Sequence, residues 1–298
     1  MDAISINQIT KTFSNQKAVD NLSLAIPSES IYGFIGPNGS GKTTTLRMIL
    51  SIIYPDSGSI ELFGQPTSGS LRDDIGYLPE ERGLYNKMKV GELIRFFGKL
   101  KNTDDLDKKI DYWLERFDLL DWKNKKIDAL SKGMSQKVQF IASIISSPKI
   151  VILDEPFSGL DPVNAETMRS AVIDLQKQGT TIVFSTHDMG TAEKMCDRIF
   201  MIYQGKKVLD GTLAEIQERY GSDTLKVRMT SGEVSMQTLP GIEKITDYGR
   251  EQDLRLSPGT DTQEILNKLI SIGRVERFEI VKPSLHDIFV RIANPEKE

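Results

Sequence analysis

Ile31-Tyr32-Gly33-Phe34-Ile35 runs directly into Gly36-Pro37-Asn38-Gly39-Ser40-Gly41-Lys42-Thr43-Thr44, and the second stretch opens with a full G-x-x-x-x-G-K-[ST] pattern. The apolar five predict a buried strand, and the residues from Thr44 to Ile53 predict a helix, so the glycine-rich segment is a strand-to-helix turn. Such a turn binds phosphate for three reasons. Glycines let backbone N–H groups curl around anionic oxygens with no side chain in the way. The helix N-terminus adds a favourable dipole. Lys42 puts a mobile charge beside β- and γ-phosphates, and the Thr43 hydroxyl is suited to Mg²⁺. Gly36, Pro37, Asn38, Gly39, Ser40, Gly41, Lys42, Thr43 and Thr44 are therefore the candidate nucleotide ligands.

A second segment completes the chemistry. Ile150-Val151-Ile152-Leu153-Asp154-Glu155-Pro156 is an apolar strand ending in two carboxylates. In a parallel sheet, strand ends deliver their residues to the ligand crevice. Asp154 can hold Mg²⁺ directly or through water, and Glu155 can orient or deprotonate an attacking water. Standing alone, the pair would read as an acidic turn after a core strand. Beside Lys42 and Thr43 it reads as half of an ATP site.

Around these motifs the chain alternates strands and helices, the pattern of an α/β protein. Strands are predicted at 5–9, 22–26, 31–35, 59–62, 75–78, 150–153 and 181–184, with a hairpin of 198–203 and 206–210 turning at Gln204-Gly205. From about 85 to 147 apolar residues recur at helical spacing, as in Val90, Leu93, Ile94 and Phe97, which predicts a helical insertion. Tyr220-Gly221-Ser222-Asp223 reads as a linker. The expected division is a large domain over 1–219 and a small α+β domain over 220–298. The latter has strands near 224–229, 243–247, 253–256 and 274–281 and helices at 262–271 and 284–292.

Composition narrows the class. Of 298 residues, 27% are charged and 39% hydrophobic, as in an ordinary globular protein, and the net charge of −4 argues against a general nucleic-acid binder. No window approaches the roughly 20 apolar residues of a membrane span, and the polar N-terminal run predicts no leader. Any membrane role is expected to come through a partner. The single cysteine, Cys196, excludes an internal disulfide and reads as a packed residue in a helical stretch from Ala192 to Phe200.

With these motifs in order, residues 3–217 resemble the ATP-binding cassette (ABC) ATPases. Leu130-Ser131-Lys132-Gly133-Met134-Ser135-Gln136 is similar to that family's signature, usually Leu-Ser-Gly-Gly-Gln. The resemblance implies that Ser131 and the backbone near Gly133 hold the γ-phosphate of ATP bound by an opposing subunit. Lys132 departs from the common glycine and either assists that contact or points to solvent. Ser158-Gly159-Leu160-Asp161 resembles the D-loop, which couples two nucleotide sites. His187, within Ser185-Thr186-His187-Asp188, matches the switch histidine that contacts γ-phosphate; His286 has no comparable context. Phe13 stands where an aromatic stacks on adenine, although a lone Phe is equally well a core residue.

One departure is clear. Gly76-Tyr77-Leu78-Pro79 is typically followed by glutamine, and here Glu80 and Glu81 follow. Glu80 can still ligate Mg²⁺, whereas Glu81 reads as a solvated turn. Pro283-Ser284-Leu285-His286-Asp287-Ile288-Phe289 resembles the end of a C-terminal domain in ABC-2-type exporter ATPases. The resemblance implies ATP and Mg²⁺ as cofactors and a head-to-tail pair of ATPase subunits, identical or different. It further implies a separate transmembrane permease, at the cytoplasmic face of the cell membrane. The expected function is ATP-driven export; a regulatory ATPase that pulls on a membrane complex without transport would carry the same cassette.

Overall fold

The computed structural model describes residues 1–67, 74–81, 83–221, 223–230 and 239–293. Ser222 of the linker lies outside them. The chain divides into two compact units, Met1–Thr212 and Leu213–Glu298.

In the first unit, β1 (Asp2–Phe13), β2 (Gln16–Pro27), β3 (Ile31–Ile35), α1 (Lys42–Ile49), β4 (Ser57–Leu62), β5 (Gln65–Pro66) and β6 (Ile75–Leu78) come first. The helices α2 (Val90–Leu100), α3 (Leu106–Arg116) and α4 (Lys132–Ile144) follow. The unit closes with β7 (Ile150–Asp154), α5 (Pro162–Lys177), β8 (Thr181–Thr186), α6 (Met189–Met195), β9 (Arg198–Tyr203) and β10 (Lys206–Gly211). The α/β fold class is as the sequence predicts, with the helical insertion between two strands of one sheet.

That sheet has the order β10-β9-β3-β8-β7-β6, parallel except for the β9–β10 hairpin. A second sheet, β2-β1-β4-β5, is antiparallel. The central sheet is a wall between two cores. Ile31, Val151, Leu153, Ile182 and Phe184 face the helical side with α2–α5. Tyr32, Phe34, Ile150, Ile152, Val183 and Phe200 face the antiparallel sheet and α1. Alternate residues of one strand feed opposite cores, so every residue of β3 and β7 is buried. The continuous apolar runs of the sequence have this cause.

Two local expectations are corrected. The helix after the glycine-rich loop starts at Lys42 and ends at Ile49, short of Ile53, because Ser51 adopts a left-handed backbone (φ 56) that no α-helix continues through. Cys196 does not lie within a helix: α6 ends at Met195, and the apolar run from Ile199 is the buried strand β9. Its thiol is nonetheless packed. Sγ lies 2.5 Å from where a Cβ on Gly33 would sit, and burial pushes the thiol pKa far up.

The second unit begins with α7 (Leu213–Tyr220), so the unit division falls one helix before the sequence-based boundary at 219/220. The helix buries Ile216 completely, and the Gln217 side chain donates to the Pro283 carbonyl, 3.0 Å away. β11 (Thr224–Met229), β12 (Ile242–Asp247), β13 (Gln252–Leu256), α8 (Thr262–Ile272), β14 (Val275–Val281) and α9 (Leu285–Ala293) follow. The strands form an antiparallel sheet of order β12-β13-β11-β14, with Leu225, Val227, Leu254, Ile265 and Leu269 at its core. Among the described residues no helix is long and apolar enough to cross a membrane.

Candidate nucleotide site

The C-terminal ends of β3, β7 and β8 lie side by side, and each carries part of the site. From β3 the chain enters the loop Gly36–Gly41. Gly41 has φ +112, and a Cβ there would come within 2.5 Å of the Ala18 carbonyl oxygen; a Cβ on Gly36 would meet the Ile202 oxygen at 2.2 Å. No side chain fits at either position, and the loop closes tightly onto the start of α1. Lys42, 6% exposed, folds back and donates to the carbonyls of Gly36 (2.7 Å) and Pro37 (3.1 Å). Burial lowers its pKa, opposed by the negative charges of Glu155, Asp154 and Glu80.

From β7 come the carboxylates. Asp154 is 1% exposed, and its Oδ1 accepts from the Thr43 hydroxyl (3.3 Å) and from Ser185 Oγ (2.5 Å). Glu155 has a left-handed backbone (φ 49), a conformation uncommon outside glycine. Its N–H donates to Ser185 Oγ (3.0 Å), and its Oε1 lies 3.9 Å from Lys42 Nζ. From β8 comes His187, whose Nδ1 is 3.0 Å from Glu155 Oε1. With Glu155 ionised, that contact requires the proton on Nδ1. The imidazole is 58% exposed, whereas the Glu155 side chain is 8% exposed, so one partner is fixed and the other open to solvent.

Two buried polar atoms in this crevice have no protein partner: Ser40 Oγ and Asp154 Oδ2. A buried polar group is normally hydrogen-bonded, so both are suited to an external ligand. Ser40 Oγ lies within the phosphate loop; Asp154 Oδ2 is a free carboxylate oxygen with Thr43 alongside. Among the described residues no three His, Cys, Asp or Glu side chains form a metal cage. The Thr43 hydroxyl and the free Asp154 oxygen are the kind of donors that Mg²⁺ takes alongside phosphate oxygens. Glu80 joins the same crevice, lining it with Gly39, Gly41, Lys42, Thr43, Thr44 and Glu155.

Not every sequence candidate converges here. Ser131 caps α4, accepting from the Met134 N–H (3.3 Å), and is exposed. Gly133 faces Leu160 and Asn164. Asp161 caps α5, accepting from the N–H groups of Val163 (3.1 Å) and Asn164 (3.0 Å), and the Asn164 bonds hold its carboxyl below the usual range. None of the three lines the crevice around Lys42. Lys132 lines an adjoining cleft with Glu80, Asp154 and Glu155. Phe13, 47% exposed, is no core residue. It carries the Lys11 ammonium 5.7 Å from its ring, and it is absent from the hollow beside the loop formed by Gln16, Lys17 and Tyr203.

The chain matches two protein families: "ABC transporter" over residues 19–158, and "ATP-binding protein DrrA1-3-like, C-terminal domain" over residues 211–293. It is 42% identical to the ABC transporter ATP-binding protein YhaQ of Bacillus subtilis, covering 96% of this chain and 97% of that protein. This chain belongs to the ABC transporter ATP-binding proteins. As a member of that family it binds ATP and carries an ATP-hydrolysing cassette. It is also 29% identical to a Nod factor export ATP-binding protein of Burkholderia lata, covering 99% and 98% of the two chains. A solved ATP-binding subunit of an ABC transporter superposes with a TM-score of 0.70 at 26% identity, over 74% of this chain and 93% of that one.

Within this cassette, sequence reasoning missed two buried residues. Ser185 bridges the Asp154 carboxylate and the Glu155 backbone, and Gln136 donates to the Pro156 carbonyl (2.5 Å) just after Glu155. Neither stands out in the sequence beyond its motif, because a serine or glutamine carries no mark of its long-range partner.

Proposed function

We propose that this protein is the ATP-hydrolysing motor of an export system, acting as one of two ATPase subunits that close head to tail on two ATP molecules. A separate membrane-spanning permease would receive the motion, with the ATPase peripheral at the cytoplasmic face of the cell membrane. The observation that carries the hydrolytic reading is the convergence of Lys42, Thr43, Asp154, Glu155 and His187 around two unpartnered buried oxygens. The export reading is supported by the C-terminal match to a DrrA1-3-like domain and by similarity to a Nod factor export ATP-binding protein.

The backbone N–H groups of the loop and Ser40 Oγ hold the phosphate chain, and Lys42 neutralises charge that develops on the transferring phosphoryl group. Thr43, Asp154 and Glu80 would hold Mg²⁺, which would supply positive charge against the phosphate chain. Glu155 orients the attacking water and accepts its proton; its side chain is fixed by burial and by His187. His187 turns its remaining, solvent-facing edge towards the γ-phosphate. Ser131 and Gly133 complete the site of the opposing subunit, Asp161 couples the two sites, and Phe13 stacks on the adenine.

Glu155→Gln tests this reading. It should bind ATP as wild type does and lose hydrolysis by about 100-fold or more, the usual worth of a positioned general base. Turnover at the wild-type rate would refute the role. Co-purification with a multi-span membrane protein, followed by ATP-driven substrate movement in vesicles, tests export; a membrane complex that binds the ATPase and moves nothing would favour the regulatory reading.

A further inference from the structure

The turn that carries Glu155 is held in an unfavourable backbone conformation, so its surroundings must over-determine it. One support is local to the sheet: Ser185 Oγ on β8 accepts the Glu155 N–H at 3.0 Å. The other comes from the helical insertion. Gln136, in the second turn of α4 and 5% exposed, donates from Nε2 to the Pro156 carbonyl at 2.5 Å. The next residue, Lys137, is also buried and donates to the Phe117 carbonyl beyond the end of α3, at 3.1 Å. The second turn of α4 is therefore bonded on one side to the insertion and on the other to the Glu155 turn. The same helix starts at Ser131, its cap.

We propose that Gln136 is a positioning residue for ATP hydrolysis, a tether through which α4 sets the place of the Glu155 carboxylate. This rests on the reading of Glu155 as the water-orienting base. The consequence is a link in one rigid element. Its N-terminal cap is exposed, and its second turn holds this chain's own hydrolytic turn. A helix displaced along its axis moves the Pro156 carbonyl and, through one peptide, Glu155. A misplacement on the order of 1 Å at a reacting group costs up to about 100-fold in rate, so the tether need not move far.

The full-length chain tests this with Gln136→Met, which keeps the side-chain length and loses the donor, and Gln136→His, which returns an N–H at similar reach. The expected result is a kcat lowered about 10- to 100-fold in the Met variant, with KM and fluorescent-nucleotide affinity within about twofold of wild type. Its melting temperature should fall by roughly 2–12 °C, the worth of one buried carbonyl left without its donor. The His variant should recover most of kcat. A Met variant with wild-type kcat overturns the proposal. So does a loss of kcat and affinity together with no recovery in the His variant, the mark of ordinary packing. Gln136→Ala, which also removes the donor, replaces the Met variant if that one does not fold, with the same expectations for kcat and nucleotide affinity. Glu155→Gln assayed alongside separates the two failures. Turnover by Glu155→Gln sinks the reading of Glu155 and the tether with it, whereas an inactive Glu155→Gln beside a fully active Gln136→Met sinks the tether alone.

Discussion

Ser185→Ala should destabilise the cassette by about 3 kcal/mol. The serine is fully buried and its hydroxyl makes two bonds, donating to Asp154 Oδ1 and accepting from the Glu155 N–H. Removing the acceptor leaves a buried N–H unpaired, which costs about 1–3 kcal/mol. A hydrogen bond to a charged group contributes about 1.5–3 kcal/mol. The loss at Asp154 falls at the low end of that range, because Thr43 still donates to the same oxygen from 3.3 Å. For a domain of this size each kcal/mol moves the melting temperature by about 2–4 °C, so the expected drop is roughly 6–12 °C. Thermal melts of the ligand-free protein measure it, with urea unfolding as a second route. Ser185→Cys is the control: it keeps nearly the same shape with a weaker donor and acceptor, and should fall between the two. An alanine variant melting within about 1 °C of wild type would refute the reasoning, since a buried N–H left unpaired costs more than that.

Two further outcomes are expected. Gly41→Ala forces a Cβ to within 2.5 Å of the Ala18 oxygen at φ +112, and should weaken ATP binding by about tenfold or more while the sheet remains folded; fluorescent-nucleotide titration with far-UV circular dichroism checks both. Asp188 caps α6, and its hydrogen bonds with Thr191 hold its carboxyl below the usual 3.8. A carboxyl lowered by folding contributes stability above its unfolded pKa and loses it as pH falls through the folded value. Asp188→Ala should therefore cost about 0.5–1 kcal/mol near pH 7, and melts from pH 7 down to pH 3 should bring variant and wild type together below the usual carboxyl pKa of about 3.8.

How much was readable from sequence depended on the range of the cause. The glycine-rich loop, the strands β3 and β7 and the hairpin at Gln204-Gly205 are legible because their determinants are neighbours: backbone freedom, apolar runs, turn residues. The end of α1 at Ile49 is hidden in the sequence although its cause is local, since apolar Ile52 and Ile53 continue the helical pattern past the left-handed Ser51. The setting of Cys196 is hidden in the sequence because a short helix and a buried strand adjoin, and both are apolar. Ser185 and Gln136 act through partners distant in the chain, and nothing in their own neighbourhood distinguishes them from ordinary polar residues. Glu155 was legible as chemistry and illegible as conformation. Its carboxylate follows from the motif, but its positive φ is imposed by tertiary contacts.

That conformation bears on how such cassettes diverge. Glycine or asparagine would occupy the backbone of residue 155 more comfortably than glutamate does. On the proposed role of Glu155, selection for hydrolysis is what holds the carboxylate there against a standing structural bias. In a paired motor where one subunit no longer has to hydrolyse ATP, this is the position at which drift meets least resistance. A thermostability screen run without an activity readout will push the protein in the same direction, enriching variants that are sturdier and inert.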